Sequence, residues 1–156
     1  MSSPMKHLLL VWHSQSGHTQ QLAESATAGA RLLADEVELR VLRAGEAQLE
    51  DLLWANGLIL CTPENFGYMS GAMKDFMDRT YYPAEGKTIG LPYVLLISCD
   101  NDGTGAVRAI ERIATGYGWR RVAEPLISHG GIAEGALDQA QELGQTLAAG
   151  LSMNLY

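Results

Sequence analysis

The run His13-Ser14-Gln15-Ser16-Gly17-His18-Thr19 directly follows the apolar stretch Leu8 to Trp12 and directly precedes a helical pattern. A strand that stops at a hydroxyl-rich turn and restarts as a helix aims free backbone N–H groups and the positive end of the helix dipole at one spot, where an anion is stabilised. Ser14, Ser16 and Thr19 supply hydroxyl donors, His18 a ring donor, and Gly17 lets the main chain come close. The turn holds neither Lys nor Arg, so the phosphate it suits is held by neutral dipoles, as in a cofactor site, with no need of a metal. A helix cap needs one hydroxyl; three hydroxyls, a Gly and a His go beyond that requirement. The spacing matches neither a Walker motif nor a dinucleotide fingerprint.

Such a turn needs a strand before it and a helix after it, and the same alternation runs along the whole chain. His7 to Trp12, Val37 to Leu42, Gly57 to Cys61, Tyr93 to Cys99 and Val122 to Ser128 are short, mostly continuous apolar runs, the pattern of strands buried on both faces. Between them, Leu22, Ala26, Ala30 and Leu33 recur at helical spacing. So do Met73, Phe76, Met77 and Thr80 behind a potential cap at Ser70, then Val107, Ile110, Ala114 and Tyr117, and finally Leu137, Ala140, Gly144, Leu147 and Leu151. A weaker helix lies around Glu46 to Trp54. Strict alternation predicts an α/β fold, a parallel sheet with right-handed crossovers and helices on both faces. Ligands then bind outside the carboxyl ends of the strands, where the strand order reverses. With strand order 2-1-3-4-5, the loops Ser14 to Thr19, Thr62 to Met69 and Asp100 to Gly105 meet on one rim.

A chain of 156 residues with 47% apolar and 19% charged residues forms one domain, residues 1–156, with a full core and no disordered tract. The net charge of -7 argues against nucleic acid and anionic membrane surfaces as partners. No apolar run is long enough to cross a bilayer, and Met1 to Lys6 has no signal-peptide layout. Cys61 and Cys99 make no disulfide framework, so the expected compartment is a reducing cytoplasm.

The segment Thr62-Pro63-Glu64-Asn65-Phe66-Gly67-Tyr68-Met69-Ser70-Gly71-Ala72-Met73-Lys74-Asp75-Phe76-Met77-Asp78-Arg79, together with Ser14 to Thr19, closely resembles the flavodoxin-like superfamily of FMN proteins. The resemblance extends over essentially the whole chain. It implies a three-layer flavodoxin-like sandwich, a five-stranded parallel sheet in order 2-1-3-4-5, and FMN bound noncovalently. It further implies that Ser14, Gln15, Ser16, Gly17, His18 and Thr19 hold the FMN phosphate. Thr62, Pro63, Glu64, Asn65, Phe66 and Gly67, with Cys99, Asp100, Asn101, Asp102 and Gly103, would border the isoalloxazine ring. Through Thr62-Pro63-Glu64 the chain also resembles the NAD(P)H-dependent FMN and quinone reductases of that superfamily. Electron-carrying flavodoxins usually place an aromatic after the fourth strand, and Asp100 to Gly105 has none. One ring face is therefore expected to be open, which suits hydride transfer from a nicotinamide.

The chemistry of these loops is legible from the residues themselves. Pro63 fixes the backbone at a strand exit and Gly67 allows close approach, so N–H groups near Glu64 to Gly67 can face a polar ring edge. Glu64, Asp100 and Asp102 would disfavour negative charge on the ring, and Phe66 or Tyr68 offers an aromatic face. Met69, Met73 and Met77 read as core packing, and Asp75, Asp78 and Arg79 as an exposed helix face. Cys61 and Cys99 end neighbouring strands and are expected near the ring, with neither redox-dithiol nor metal-ligand spacing. No catalytic side chain is assigned: Gly-x-Ser-x-Gly is absent, and a flavin would carry the chemistry itself. A receiver module is excluded, because His13-Ser14 and Thr62-Pro63 stand where it needs acidic residues. The expected function is NAD(P)H-dependent reduction of a quinone or flavin-type acceptor. The alternatives are a one-electron carrier serving a redox partner protein, and a non-enzymatic flavin-binding or regulatory module.

Overall fold

Successive side chains of a strand point to opposite faces of the sheet, so a continuous apolar run serves two cores at once. The computed structural model, which describes residues 4–156, shows this sorting residue by residue. Its elements are β1 (Lys6–Trp12), α1 (His18–Arg31), β2 (Val37–Arg43), α2 (Leu49–Trp54), β3 (Gly57–Asn65), β4 (Tyr68–Met69), α3 (Gly71–Thr80), β5 (Pro92–Cys99), α4 (Thr104–Tyr117), β6 (Arg120–Arg121), β7 (Leu126–His129) and α5 (Ala136–Ser152). Leu9, Val11, Leu58, Leu60, Leu95 and Ile97 pack with Met73, Phe76 and Ile110 of α3 and α4. The intervening Leu8, Leu10, Ile59, Cys61, Val94 and Leu96 pack with Leu22 and Ala26 of α1 and Ala140 and Leu147 of α5. The result is the expected three-layer α/β sandwich. Residues 1–3, the start of the Met1 to Lys6 lead-in, lie outside the described residues.

The principal strands run β2-β1-β3-β5-β6, with β7 also paired to β5. Taking β6 and β7 as one interrupted fifth strand gives the order 2-1-3-4-5. The interruption corrects the expected strand over Val122 to Ser128. Only Arg120–Arg121 and Leu126–His129 pair with β5; the Val122 N–H still donates to the Tyr93 carbonyl at 3.1 Å, and residues 123–125 leave the sheet. Pro125 has no N–H to donate to a ladder, which accounts for part of the break.

A second departure lies at the end of β3. The strand continues past Cys61 to Asn65 and folds back on β4 as a short antiparallel hairpin, Glu64 opposite Met69 and Asn65 opposite Tyr68. Phe66 and Gly67 form the two-residue turn with φ of 52° and 72°. Two positive φ values are what the inherent twist of a tight hairpin requires, and Gly at the second position meets that need at little cost. Phe66 in the first position does not, and it stands fully exposed. Within α3, Ser70 caps the helix as expected, its Oγ accepting the Met73 N–H at 3.2 Å. Met69, Met73 and Met77 are buried, in keeping with a packing role.

Helices α1 and α5 approach until backbone meets backbone. A Cβ on Gly29 would collide with the Gln141 carbonyl, and one on Gly144 with the Ala26 carbonyl. No helix of the described residues is long and apolar enough to cross a membrane.

Candidate functional site

Three chain segments at the carboxyl ends of β1, β3 and β5 converge on one rim, joined by the Gly130-Gly131 turn after β7. Between them lies a cleft of about 220 Å³. From the first segment Gln15, Ser16 and His18 line it, from the second Pro63, Glu64 and Asn65, and from the third Cys99 and Asp100. Ser98 and Gly131 complete the wall, and neither was singled out from the sequence. Ser98 is hidden inside an apolar strand. Gly131 did carry a signal, a Gly pair directly after the last strand. A Cβ there would meet the His18 ring at 2.9 Å, so glycine lets the final loop close against the Ser14–Thr19 turn.

In the turn itself, Ser14 Oγ accepts the Gly17 N–H at 3.0 Å and so shapes the loop from within. Gly17 adopts φ 97° at the start of α1, and the helix has neither a side-chain cap nor an acidic residue in its first turn. Its amino-terminal N–H groups are thus left without the usual side-chain partner, the condition under which a phosphate binds there. Ser16 Oγ and His18 Nδ1 lie 3.0 Å apart beside this end. Thr19 is placed differently: it is buried, and its Oγ1 pairs with Ser98 Oγ at 2.6 Å, tying α1 to β5 under the cleft floor.

The second and third loops are bound to each other by Glu64. Its carboxylate accepts the Gly103 N–H at 3.3 Å and the Ala106 N–H at 3.1 Å, capping α4 from a distant hairpin. A carboxylate at a helix amino terminus is stabilised by the same dipole that would hold a phosphate, so Glu64 acts on the loop geometry through charge-assisted bonds. Thr62 is fully buried, its hydroxyl donating to the Pro63 carbonyl and accepting the Ser70 N–H. Asp102, Asn101, Gly103, Gly67, Gly17 and Phe66 shape or flank the loops and are not among the lining residues. Asp102 Oδ1 accepts both the N–H and the hydroxyl of Thr104, which holds its carboxyl below the usual range. Phe66, expected as a stacking face, points to solvent.

The two cysteines separate. Cys61 belongs to the core beneath α1 and α5 and is fully buried, which corrects the expectation that it lies near the ring; burial pushes its thiol up. Cys99 does line the cleft, its thiol pushed up to about 11 by burial and by the carboxylates of Glu64, Asp102 and Asp100. A thiol so shifted is protonated at neutral pH. The Nδ1–H of His129 donates to the Asn101 carbonyl at 2.6 Å, steadying the loop that carries Asp100. Among the described residues there is no cluster of His, Cys, Asp and Glu able to hold a metal.

These features fit FMN, the group implied by the sequence resemblance. The uncapped helix end offers neutral donors to a phosphate, and the facing Pro63–Asn65 and Cys99–Asp100 segments offer two walls for a flat ring.

Comparison with known proteins points the same way. A flavodoxin of Aquifex aeolicus is 39% identical over 74 residues, covering 47% of this chain and 40% of the relative. An NAD(P)H dehydrogenase (quinone) of Acidithiobacillus ferrooxidans is 33% identical over 106 residues, covering 55% and 53%. The chain thus matches only about half the length of these curated relatives. Among solved structures, a flavodoxin from the domain Archaea superposes with a TM-score of 0.76 at 20% identity, over 92% of this chain and 96% of that one. A flavodoxin, WrbA-like protein from Agrobacterium tumefaciens gives 0.74 at 20% identity, over 96% and 98%. At that identity the superpositions establish the flavodoxin-like fold. The family model described as NADPH-dependent FMN reductase matches residues 13–154, from the turn after β1 through α5, and the chain belongs to that family.

Proposed function

We propose that the protein binds FMN in the rim cleft and uses it to pass reducing equivalents from NAD(P)H to a quinone or flavin-type acceptor. The observation that carries this reading is the make-up of the cleft wall. Among the described residues no Phe, Tyr or Trp lines it, and Phe66, in the hairpin turn beside it, is turned fully to solvent. A ring seated there keeps a face on which a nicotinamide can lie. FMN supplies the hydride and electron chemistry when bound, and the protein supplies position and electrostatics. Ser16 and the end of α1 would hold the phosphate. Pro63 and Asn65 would orient the ring from one loop and Cys99 from the other, while Asp100 disfavours added negative charge beside it. The family's NADPH-dependent description and the quinone dehydrogenase relative support this reading. The Aquifex flavodoxin supports the second one, a one-electron carrier.

Anaerobic mixing of the FMN-loaded protein with NADPH or NADH is expected to bleach the flavin in a single two-electron phase without a radical band. A protein that ignores both nicotinamides and accumulates the one-electron form on photoreduction is a carrier, and the reductase reading then fails.

The turn can be tested residue by residue. Ser16→Ala should weaken FMN binding by about 10- to 100-fold, the value of one hydrogen bond to a charged acceptor, about 1.5–3 kcal/mol. Thr19→Val should act chiefly on stability, lowering it by about 1–3 kcal/mol, because Ser98 loses a buried partner. Isothermal titration and thermal melts of both variants separate the two roles. Equal FMN affinity in wild type and Ser16→Ala removes Ser16 from the phosphate site.

A further inference from the structure

A second cleft, of about 700 Å³, opens on the other side of the phosphate turn, toward the carboxyl ends of β1 and β2. Trp12, His13 and Ser14 line it from β1 and the turn, Gln20 from α1, and Arg43 and Glu46 from the end of β2 and the loop after it. Its volume lies within the range of about 300–1,000 Å³ typical of small-molecule sites. We propose that this cleft binds the adenosine end of the pyridine dinucleotide, with Arg43 gripping the 2′-phosphate that distinguishes NADPH from NADH. The proposal rests on the reductase reading and extends it to the donor's identity and to a second subsite.

Four observations converge here. The Arg43 guanidinium lies over the Trp12 ring, 5.3 Å from its centroid, and makes no ion pair among the described residues. An arginine steadied by a cation–π contact and free of carboxylate partners presents its planar N–H fork to a phosphomonoester. His13 lines the same cleft, and its Nδ1 is shielded from solvent with no hydrogen-bond partner, an unmet polar group of the kind a ligand or local shift satisfies. Burial lowers the His13 pKa, so the ring is neutral and can either donate or accept. Glu46, on the same wall, repels a phosphate but accepts hydrogen bonds from ribose hydroxyls or an adenine amino group, which sets orientation within the cleft.

Placement supplies the last observation. Ser14 lines this cleft and its neighbour Gln15 lines the flavin cleft, so a single turn divides the two. A ligand whose reactive ring and distal nucleoside are joined by a flexible pyrophosphate can span such a divide. A compact acceptor such as a quinone has no distal group to fill the larger side.

The test uses the FMN-loaded protein and two probes that carry no nicotinamide. Calorimetry with 2′,5′-ADP is expected to show binding that weakens tenfold or more in Arg43→Ala and less in Arg43→Lys, which keeps the charge but loses the fork. Binding of 5′-AMP should be weaker than that of 2′,5′-ADP and nearly insensitive to Arg43. In turnover, the ratio of KM for NADPH to KM for NADH should rise tenfold or more in Arg43→Ala, with FMN content measured in parallel. Arg43 is exposed at the end of an edge strand, so its replacement does not threaten the core. If neither nicotinamide reduces the flavin but 2′,5′-ADP binds in an Arg43-dependent way, the reductase reading falls and the subsite stands. If NADPH reduces the flavin and Arg43→Ala leaves both the probe affinity and the KM ratio unchanged, the subsite is overturned and the reductase reading stands.

Discussion

Replacing Glu64 by Ala is expected to unlatch the two loops proposed to border the ring and to weaken FMN binding by at least tenfold. The carboxylate spans from the β3–β4 hairpin to the amino end of α4, accepting N–H groups of Gly103 and Ala106 at 3.3 and 3.1 Å. Charge-assisted hydrogen bonds are worth about 1.5–3 kcal/mol each, and a helix end stripped of its cap adds to the loss. The folded state should therefore lose about 3 kcal/mol or more, and the loss should be local. Amide exchange at Gly103 and Ala106 should accelerate while that of the central strands falls only to the new global limit. Glu64→Gln is the informative intermediate: it keeps one acceptor oxygen but presents an NH₂ group to the second N–H. Its FMN affinity should lie between wild type and Ala. Unchanged exchange and unchanged affinity in Glu64→Ala would mean that the hairpin and α4 hold their places without this bridge.

A second large effect on stability is expected at Gly144. Gly→Ala within a helix normally stabilises by roughly 0.5–1 kcal/mol through the backbone entropy of the unfolded chain. Here the sign should reverse, because the added Cβ would collide with the Ala26 carbonyl in the neighbouring helix, a backbone atom that cannot rotate away. Gly144→Ala should destabilise, and Gly144→Val should cost about 3 kcal/mol or more, a drop of roughly 6–12 °C in Tm. Gly29, which meets the Gln141 carbonyl from the other side, should behave alike. Thermal melts of the four variants decide the matter. A Gly144→Ala protein more stable than wild type would show that α1 and α5 can part at little cost. Neither glycine is near the cleft, so an intact variant should keep its FMN affinity.

Much of this was legible in the linear chain, because the forces that set it are local or periodic. The alternation of β1, β3 and β5 residues between the two cores and the helical spacing of α1, α3, α4 and α5 follow from side-chain direction along a strand or helix. The position of the cleft follows from them, since an alternating chain with this strand order must bring its first, third and fourth loops to one rim. Gln15, Ser16 and His18 of the first turn, Pro63 to Asn65 and Cys99 to Asp100 were accordingly named from sequence, and they line the cleft. What required the tertiary structure was how each polar atom is already engaged. Glu64 reads as a loop charge until Gly103 and Ala106, about forty residues on, take both its oxygens. Thr19 reads as a phosphate donor until Ser98 claims its hydroxyl. Arg79 reads as part of an exposed helix face, yet its guanidinium donates to the Ala44 and Ala47 carbonyls at 2.7 and 2.8 Å and pins the loop after β2. Periodicity fixes which way a side chain points, but a hydrogen bond depends on angstrom-scale distance between residues far apart in the chain, and only the packed fold sets that distance.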